Sequence, residues 1–270
     1  MRTLPFVKVV GTGNDFILID TRGLPAPIRP KKLAQQWCRR TDGIGADGLV
    51  LVSPSRKANA RMRIFNPDGS EARMCGNGLR CVAWYLHSRG MDNQTLSLET
   101  GAGILQARVV GRERVRIFLP PPSMLRLKIP FVFRGSRYTI HFVNTGVPHA
   151  VLRTPHLEKI DLSRLGPAIR HHHLFRPEGT NVNLMRVENP HRISVRTYER
   201  GVEAETLACG TGSVASVVIG AALGWLKPPV EVIPASQERL MVGCHGGRDL
   251  SRGAYLEGPA RILFEGVLPL

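Results

Sequence analysis

Met74-Cys75-Gly76-Asn77-Gly78 and Ala208-Cys209-Gly210-Thr211-Gly212 share the pattern Cys-Gly-polar-Gly, and each opens onto a long apolar run, Leu79 to His87 in one case and Ser213 to Leu223 in the other. Runs of that length and apolar density predict helices. A cysteine just before a helix meets unpaired backbone N–H groups and the positive end of the macrodipole. Both favour the thiolate and draw the thiol pKa down from about 8.5 toward neutrality. The glycines let the backbone turn tightly and let a ligand come close. Two such cysteines with matching surroundings, one in each half of the chain, predict a duplicated fold that brings two acid/base thiols to one cleft.

The flanking sequence repeats the same order. In the first half, strands are expected at Phe6–Val10, Phe16–Asp20, Leu49–Val52 and Arg61–Phe65, with a short helix from Pro30 to Arg40. The first cysteine helix stops near Gly90, and strands follow at Leu96–Glu99, Gly103–Val110 and Val115–Leu119. Pro120-Pro121-Pro122 marks the domain boundary. Beyond it come strands at Tyr138–Val143, Ala150–Leu152, Asn183–Val187 and His191–Tyr198, then the second cysteine helix, then strands at Val230–Ile233, Leu240–Val242, Ala254–Glu257 and Arg261–Phe264. Asn144 to His149 reads as a turn, and His171-His172-His173 as a polar connection rather than a metal site. Both cysteine helices look apolar nearly all round, as a helix wrapped by its own sheet would be. The fold class is therefore α+β: two pseudo-symmetric lobes with both helix N-termini in the inter-lobe cleft.

Composition narrows the class. The 270 residues are 43% hydrophobic, and no apolar run approaches the roughly 18 residues of a membrane span. Met1-Arg2-Thr3-Leu4-Pro5 lacks the features of a leader, so the chain reads as cytoplasmic. The net charge of +16 raises the question of nucleic acid, but the arginines are scattered and no aromatic residues interleave with them. A solvated basic surface that steers anionic substrates accounts for them better. Five cysteines without metal-ligand spacing indicate thiols in a reducing compartment. Gly11-Thr12-Gly13-Asn14-Asp15 lies between two strands and does not match a dinucleotide fingerprint.

Two thiols invert a stereocentre if one removes a proton from one face of an sp³ carbon and the other returns a proton to the opposite face. In near-attack geometry the sulfurs lie about 6–7 Å apart across the carbon. The carbanionic transition state needs electrostatic support, which helix N–H groups of Gly76, Asn77, Gly210 and Thr211 can give to an α-carboxylate. Cys38, Cys81 and Cys244 read as structural residues.

With these residues the chain resembles the diaminopimelate epimerase family. The resemblance rests on Gly13-Asn14-Asp15-Phe16, Gly43-Ile44-Gly45-Ala46-Asp47, Phe65-Asn66-Pro67-Asp68-Gly69-Ser70-Glu71-Ala72, Met74 to Gly78, Gly179-Thr180-Asn181, Tyr198-Glu199-Arg200-Gly201 and Glu205 to Gly212, seven motifs in order. It implies a cofactor-independent epimerase acting on diaminopimelate, with no pyridoxal group and no metal. It implies that Cys75 and Cys209 are the two bases, and that His149 and Glu199 adjust them. Gly76, Asn77, Gly210 and Thr211 are implied to hold the reacting carboxylate; Asn14, Asn66, Asn181 and Arg200, with Glu199 beside them, are implied to hold the rest of the substrate. Each lobe is implied to be a mainly antiparallel sheet curled round a central helix. The N-terminal lobe takes residues 1–120, completed by 259–270, and the C-terminal lobe takes 121–258. A homodimer is implied as well, without nucleic-acid or membrane partners. Val147 and Gly48 stand where some members carry Asn and Gln. Two rival readings are a proline- or hydroxyproline-type racemase of the same fold and a non-catalytic basic nucleic-acid-binding protein. Arg200 and Asn181 argue against the racemase, because a small imino acid has no distal carboxylate for them to bind.

Overall fold

The computed structural model describes residues 3–22, 24, 28–91, 94–245 and 249–269. Met1 and Arg2, part of the stretch read above as lacking the features of a leader, and Leu270, the last residue of the segment expected to complete the N-terminal lobe, lie outside the described residues. The chain divides into two compact units, residues 1–117 with 258–270, and residues 118–257.

In the first unit the strands are β1 (Thr3–Gly11), β2 (Asn14–Asp20), β3 (Gly48–Ser53), β4 (Ala60–Phe65), β5 (Glu71–Ala72), β6 (Leu96–Thr100), β7 (Gly103–Gly111) and β8 (Arg114–Leu119). Two helices, α1 (Pro30–Trp37) and α2 (Gly76–Ser88), interrupt them. β1 runs antiparallel to β2, with Val7 opposite Leu18, and β2 runs parallel to β3, with Leu18 opposite Val50. β3–β4 is antiparallel, β4–β6 parallel and β6–β7 antiparallel. α2 packs on β1, β2, β4 and β7, strands spread across the whole sheet, so the sheet curls round it. α1 covers part of the other face: Leu33, Ala34 and Trp37 bury against Phe6, Ile17, Ile19, Leu49 and Phe65. Burying a leucine such as Leu33 contributes about 1.5–3 kcal/mol. The β3 residues Leu49–Val52 are buried on both faces because helices lie on both sides.

The second unit repeats this order. Its strands are β9 (Ser123–Phe133), β10 (Ser136–Asn144), β11 (Pro148–Arg153), β12 (Asn181–Asn189), β13 (Arg192–Glu199), β14 (Ala204–Thr206), β15 (Val230–Ile233), β16 (Leu240–Cys244) and β17 (Ala254–Pro259). Its helices are α3 (Leu162–Arg170) and α4 (Gly210–Ala222). The pairings again alternate: β10–β11 antiparallel, β11–β12 parallel, β12–β13 antiparallel, β13–β15 parallel, β15–β16 antiparallel. α4 packs on β10, β11, β12, β13 and β16, and α3 packs on β12 and β13 from the other side. The final strand, β18 (Arg261–Pro269), pairs antiparallel with β1, Phe6 opposite Gly266, and packs on α2. The first unit is thus built from both ends of the chain.

Three expectations need correction. β9 and α3 were not foreseen. His149 lies inside β11 with Asn181 opposite it on β12, so the turn after Asn144 is confined to residues 145–147. And neither cysteine helix is apolar all round: α4 buries Ser213 and Ser216, and α2 buries Asn77 and Arg80 among its core residues. A helix wrapped by a sheet can carry polar groups where their hydrogen bonds are met inside.

Candidate active site

In each unit a short strand, β5 or β14, leads into the cysteine that precedes a helix. Cys75 is the N-cap of α2 in extended backbone (φ −141°, ψ 119°), and its Sγ accepts from the Gly78 N–H at 3.5 Å. Cys209 is the N-cap of α4 (φ −120°, ψ 111°), with Sγ 3.5 Å from Thr211 Oγ1. The first bonds within each helix are Leu79 N–H to Cys75 O and Ser213 N–H to Cys209 O, both 2.9 Å. The N–H groups of Gly76 and Asn77, and of Gly210 and Thr211, come before those bonds, at the positive ends of the helices. A carboxylate is the ligand such a terminus favours.

Asn77 and Asn14 belong to one chain of hydrogen bonds in the first unit. Arg80, fully buried one turn along α2, donates to Asn77 Oδ1 at 2.7 Å and to Thr12 Oγ1 at 2.6 Å. Because a guanidinium only donates, the Asn77 oxygen must face it. The Asn77 amide nitrogen then donates to Asn14 Oδ1 at 2.5 Å, and the Asn14 nitrogen donates to Asp47 Oδ2 at 2.9 Å. Every amide in the chain is thereby oriented, and each nitrogen keeps a second N–H to offer. Asp47 is also gripped by Arg40 at 2.6 Å, which reaches Asp15 as well. Burial raises the Asp15 pKa, but hydrogen bonds from Arg40 and Lys8 outweigh it and hold the carboxyl below its ordinary range. Asn66 is exposed in the turn after β4, where its nitrogen donates to Ser70 Oγ at 2.9 Å.

In the second unit Asn181 is buried at the start of β12. Its nitrogen donates to Pro148 O and its oxygen accepts from the Arg200 backbone N–H, both at 2.9 Å, so it ties β11 to the end of β13. The Arg200 guanidinium is partly exposed, 3.3 Å from Glu178 O and 3.5 Å from the Glu178 carboxylate. Glu199 is largely buried: burial raises its pKa, against the lowering effect of the Thr206 hydroxyl donating at 2.9 Å. His149 is fully buried; burial first, and the Arg200 charge second, push its pKa down to about 3, so the ring is neutral. Thr145 Oγ1 donates to Thr211 O at 3.1 Å and pins the first turn of α4.

The structure therefore gathers Cys75, Gly76, Asn77 and Asn14 in one unit, and Cys209, Gly210 and Thr211 at a helix start in the other, with Asn181, Glu199 and His149 on neighbouring strands of the same unit and Arg200 in the turn that follows Glu199. Sequence reading missed Arg80, Thr12, Thr145 and Asn183. An arginine within the apolar run after Cys75, and an asparagine between Val182 and Leu184, are the signals that were available. Among the described residues no cluster of three or more His, Cys, Asp or Glu is placed to hold a metal ion, and no helix is long and apolar enough to cross a membrane.

Comparison with known proteins bears on the family. The family model described as diaminopimelate epimerase matches residues 6–124 and 141–262. A diaminopimelate epimerase of Chlorobaculum tepidum is 41% identical over 263 residues, covering 96% of this chain and 99% of that one. Another, from Methanothrix thermoacetophila, is 42% identical with 99% and 97% coverage. Among solved structures, a PhzF-family phenazine biosynthesis protein of Bacillus anthracis superposes with a TM-score of 0.77 at 17% identity, covering all of both chains. A hydroxyproline epimerase of Agrobacterium vitis gives 0.73 at 17% identity, covering 99% of this chain and 91% of that one. Those two establish the two-lobed mixed α+β fold, and the full-length relatives with the family model go further: the chain belongs to the diaminopimelate epimerase family.

Proposed function

We propose that this protein interconverts LL- and meso-2,6-diaminopimelate by two-base proton transfer at one α-carbon. One of Cys75 and Cys209, as thiolate, takes the α-proton; the other, as thiol, gives its proton to the opposite face of the carbanion. No atom is gained or lost, and the two sulfurs exchange protonation states. The N-terminal half (1–120 with 259–270) supplies Cys75, and the C-terminal half (121–258) supplies Cys209. The observation that carries the reading is the repetition: two units alike in strand order each place a cysteine at a helix N-cap.

Gly76, Asn77, Gly210 and Thr211 offer N–H groups to the reacting carboxylate, whose charge grows in the transition state. Asn14, Asn66 and Asn181 offer neutral amides to the other amino-acid head, and Arg200 offers its guanidinium to the distal carboxylate, giving up the 3.5 Å contact with Glu178. His149 and Glu199 are the polar partners that adjust the thiols.

The chain is read further as a cytoplasmic homodimer. All five cysteines are outside disulfides, which suits a reducing compartment. β18 pairs with β1 and exposes Leu263, Phe264 and Val267, each at least 50% accessible, along a strand for a second copy to cover. Light scattering at the mass of a monomer would remove that part.

The deciding experiment follows α-proton exchange by NMR in D₂O with LL-diaminopimelate, L-proline and a simple amino acid, under reducing conditions. Exchange restricted to diaminopimelate, and lost in both Cys75→Ala and Cys209→Ala, is expected. Exchange on proline instead moves the substrate assignment to an imino acid; no exchange from reduced, folded protein removes the two-thiol reaction.

A further inference from the structure

Asn183 lies in the middle of β12, fully buried, opposite Val151 on β11 and Thr197 on β13. Its carboxamide has its partners on every side. Oδ1 accepts from Thr197 Oγ1 at 2.9 Å, and Nδ2 donates to Ala150 O at 3.1 Å. A carbonyl oxygen only accepts, so the Ala150 contact fixes which end of the amide is nitrogen. That nitrogen also lies 3.1 Å from His149 Nδ1. Two donors cannot face each other, so Nδ1 is the acceptor and the imidazole proton sits on Nε2. Nε2 is itself buried and has no partner among the described residues. A buried donor without an acceptor is rare and asks for a ligand. The same carboxamide backs the first turn of α4: a Cβ at Gly212 would collide with Asn183 Oδ1 and stand 3.3 Å from Cys209 Sγ. Burial also pushes the ring's pKa down, in the direction that a bare Nδ1 requires.

We propose that Asn183 is a positioning residue: its carboxamide locks His149 in the Nε2–H tautomer, so that this N–H is kept as a donor for the bound amino acid. The proposal rests on the epimerase reading for its ligand, and on the hydrogen-bond network alone for its tautomer. Asn183 touches no reacting atom. It acts by fixing which nitrogen of His149 carries the proton, while Thr197 and Ala150 stop the carboxamide from turning over.

The tautomer is measured directly on ligand-free protein labelled with ¹⁵N-histidine. Of the nine histidines, the signals absent from His149→Gln belong to His149. A protonated Nε2 with a bare Nδ1 is expected; a protonated Nδ1 overturns the proposal whether or not the protein is active. Asn183→Ala should show both tautomers and lower kcat roughly 10- to 100-fold, with a smaller change in KM. His149→Gln, whose amide N–H reaches toward the Nε2 position, should retain more kcat than His149→Asn, which does not. The reverse order overturns the proposal, and this pair decides it even if Asn183→Ala fails to fold. Absence of turnover by the wild-type protein with LL-diaminopimelate counts against the epimerase reading and leaves the tautomer result standing by itself.

Discussion

Cys75 and Cys209 hold equivalent positions: each is the extended N-cap of a 13-residue helix whose first residue is glycine. They differ in access. Cys75 is half-buried, whereas Cys209 is only 8% exposed.

Equal position with unequal access predicts an order of alkylation. With limiting iodoacetamide at pH 8, Cys75 is modified before Cys209. Cys38 stays unmodified, because burial pushes its thiol up to about 11. Peptide mass spectrometry reads the order, and modification of Cys209 ahead of Cys75 would contradict it.

Arg80→Met removes the donor that orients Asn77 and leaves the Asn77 and Thr12 oxygens facing an apolar chain. Two buried acceptors left short cost about 2–4 kcal/mol. For a chain of this size the melting temperature falls by roughly 5–15 °C. Asn77 and Asn14 also lose their fixed orientation, so KM for diaminopimelate should rise in whatever protein remains folded. A variant with unchanged melting and unchanged KM would mean that the network is idle.

Gly212→Ala tests how tightly α4 sits on β12. The added methyl group meets Asn183 Oδ1 and Cys209 Sγ. Overpacking of this kind costs about 1–3 kcal/mol. Activity should fall by more than stability does, because the displaced groups are the thiol and the carboxamide behind His149. Urea unfolding beside exchange rates separates the two effects; a variant of wild-type stability and rate would show the turn to be looser than described.

His149 and Glu199 should tilt stability with pH in opposite directions. The folded pKa of His149, about 3, lies below the ordinary 6.5, so between those values the unfolded chain binds the extra proton and stability falls as pH drops. Burial raises the Glu199 pKa despite the Thr206 hydrogen bond, so the unfolded chain ionises first and stability falls as pH rises past about 4.3. Each slope is at most about 1.4 kcal/mol per pH unit. His149→Gln should flatten the loss between pH 6.5 and 4, and Glu199→Gln should gain on the wild type from pH 4 to pH 8. Urea melts at four pH values measure both; parallel curves for wild type and variants would refute the assignment.

The fold was legible wherever apolar residues recur with a clear period, and it was hidden where they do not. α4 announces itself because Val214 to Gly220 are all buried. α3 does not, since Gly166 and Pro167 interrupt Leu162, Leu165 and Ile169. Gly166 is there because the Tyr198 ring occupies the space a Cβ would need, a long-range cause that no local pattern displays. β9 stayed hidden for a different reason: Leu127, Ile129, Phe131 and Phe133 do alternate with exposed neighbours, but the strand is mostly exposed and contains Pro130, a residue that argues against a strand. At the site the cysteines were readable because helix N-caps have a local signature. Arg80 and Asn183 were not, because a buried polar residue is recognisable only by partners that lie far away in sequence: Thr12 and Pro259 for the first, Ala150 and Thr197 for the second.

The return of β18 to β1 sets an order of assembly on the ribosome. The unit of residues 118–257 is continuous and can close as soon as its last strand emerges. The first unit, although begun earlier, lacks β18 until the whole of the second unit has been synthesised. Until then α2, and Cys75 at its N-cap, has one wall of its core missing. The usual rule that the N-terminal part folds first is inverted here: the nascent protein finishes its Cys209 half and then its Cys75 half.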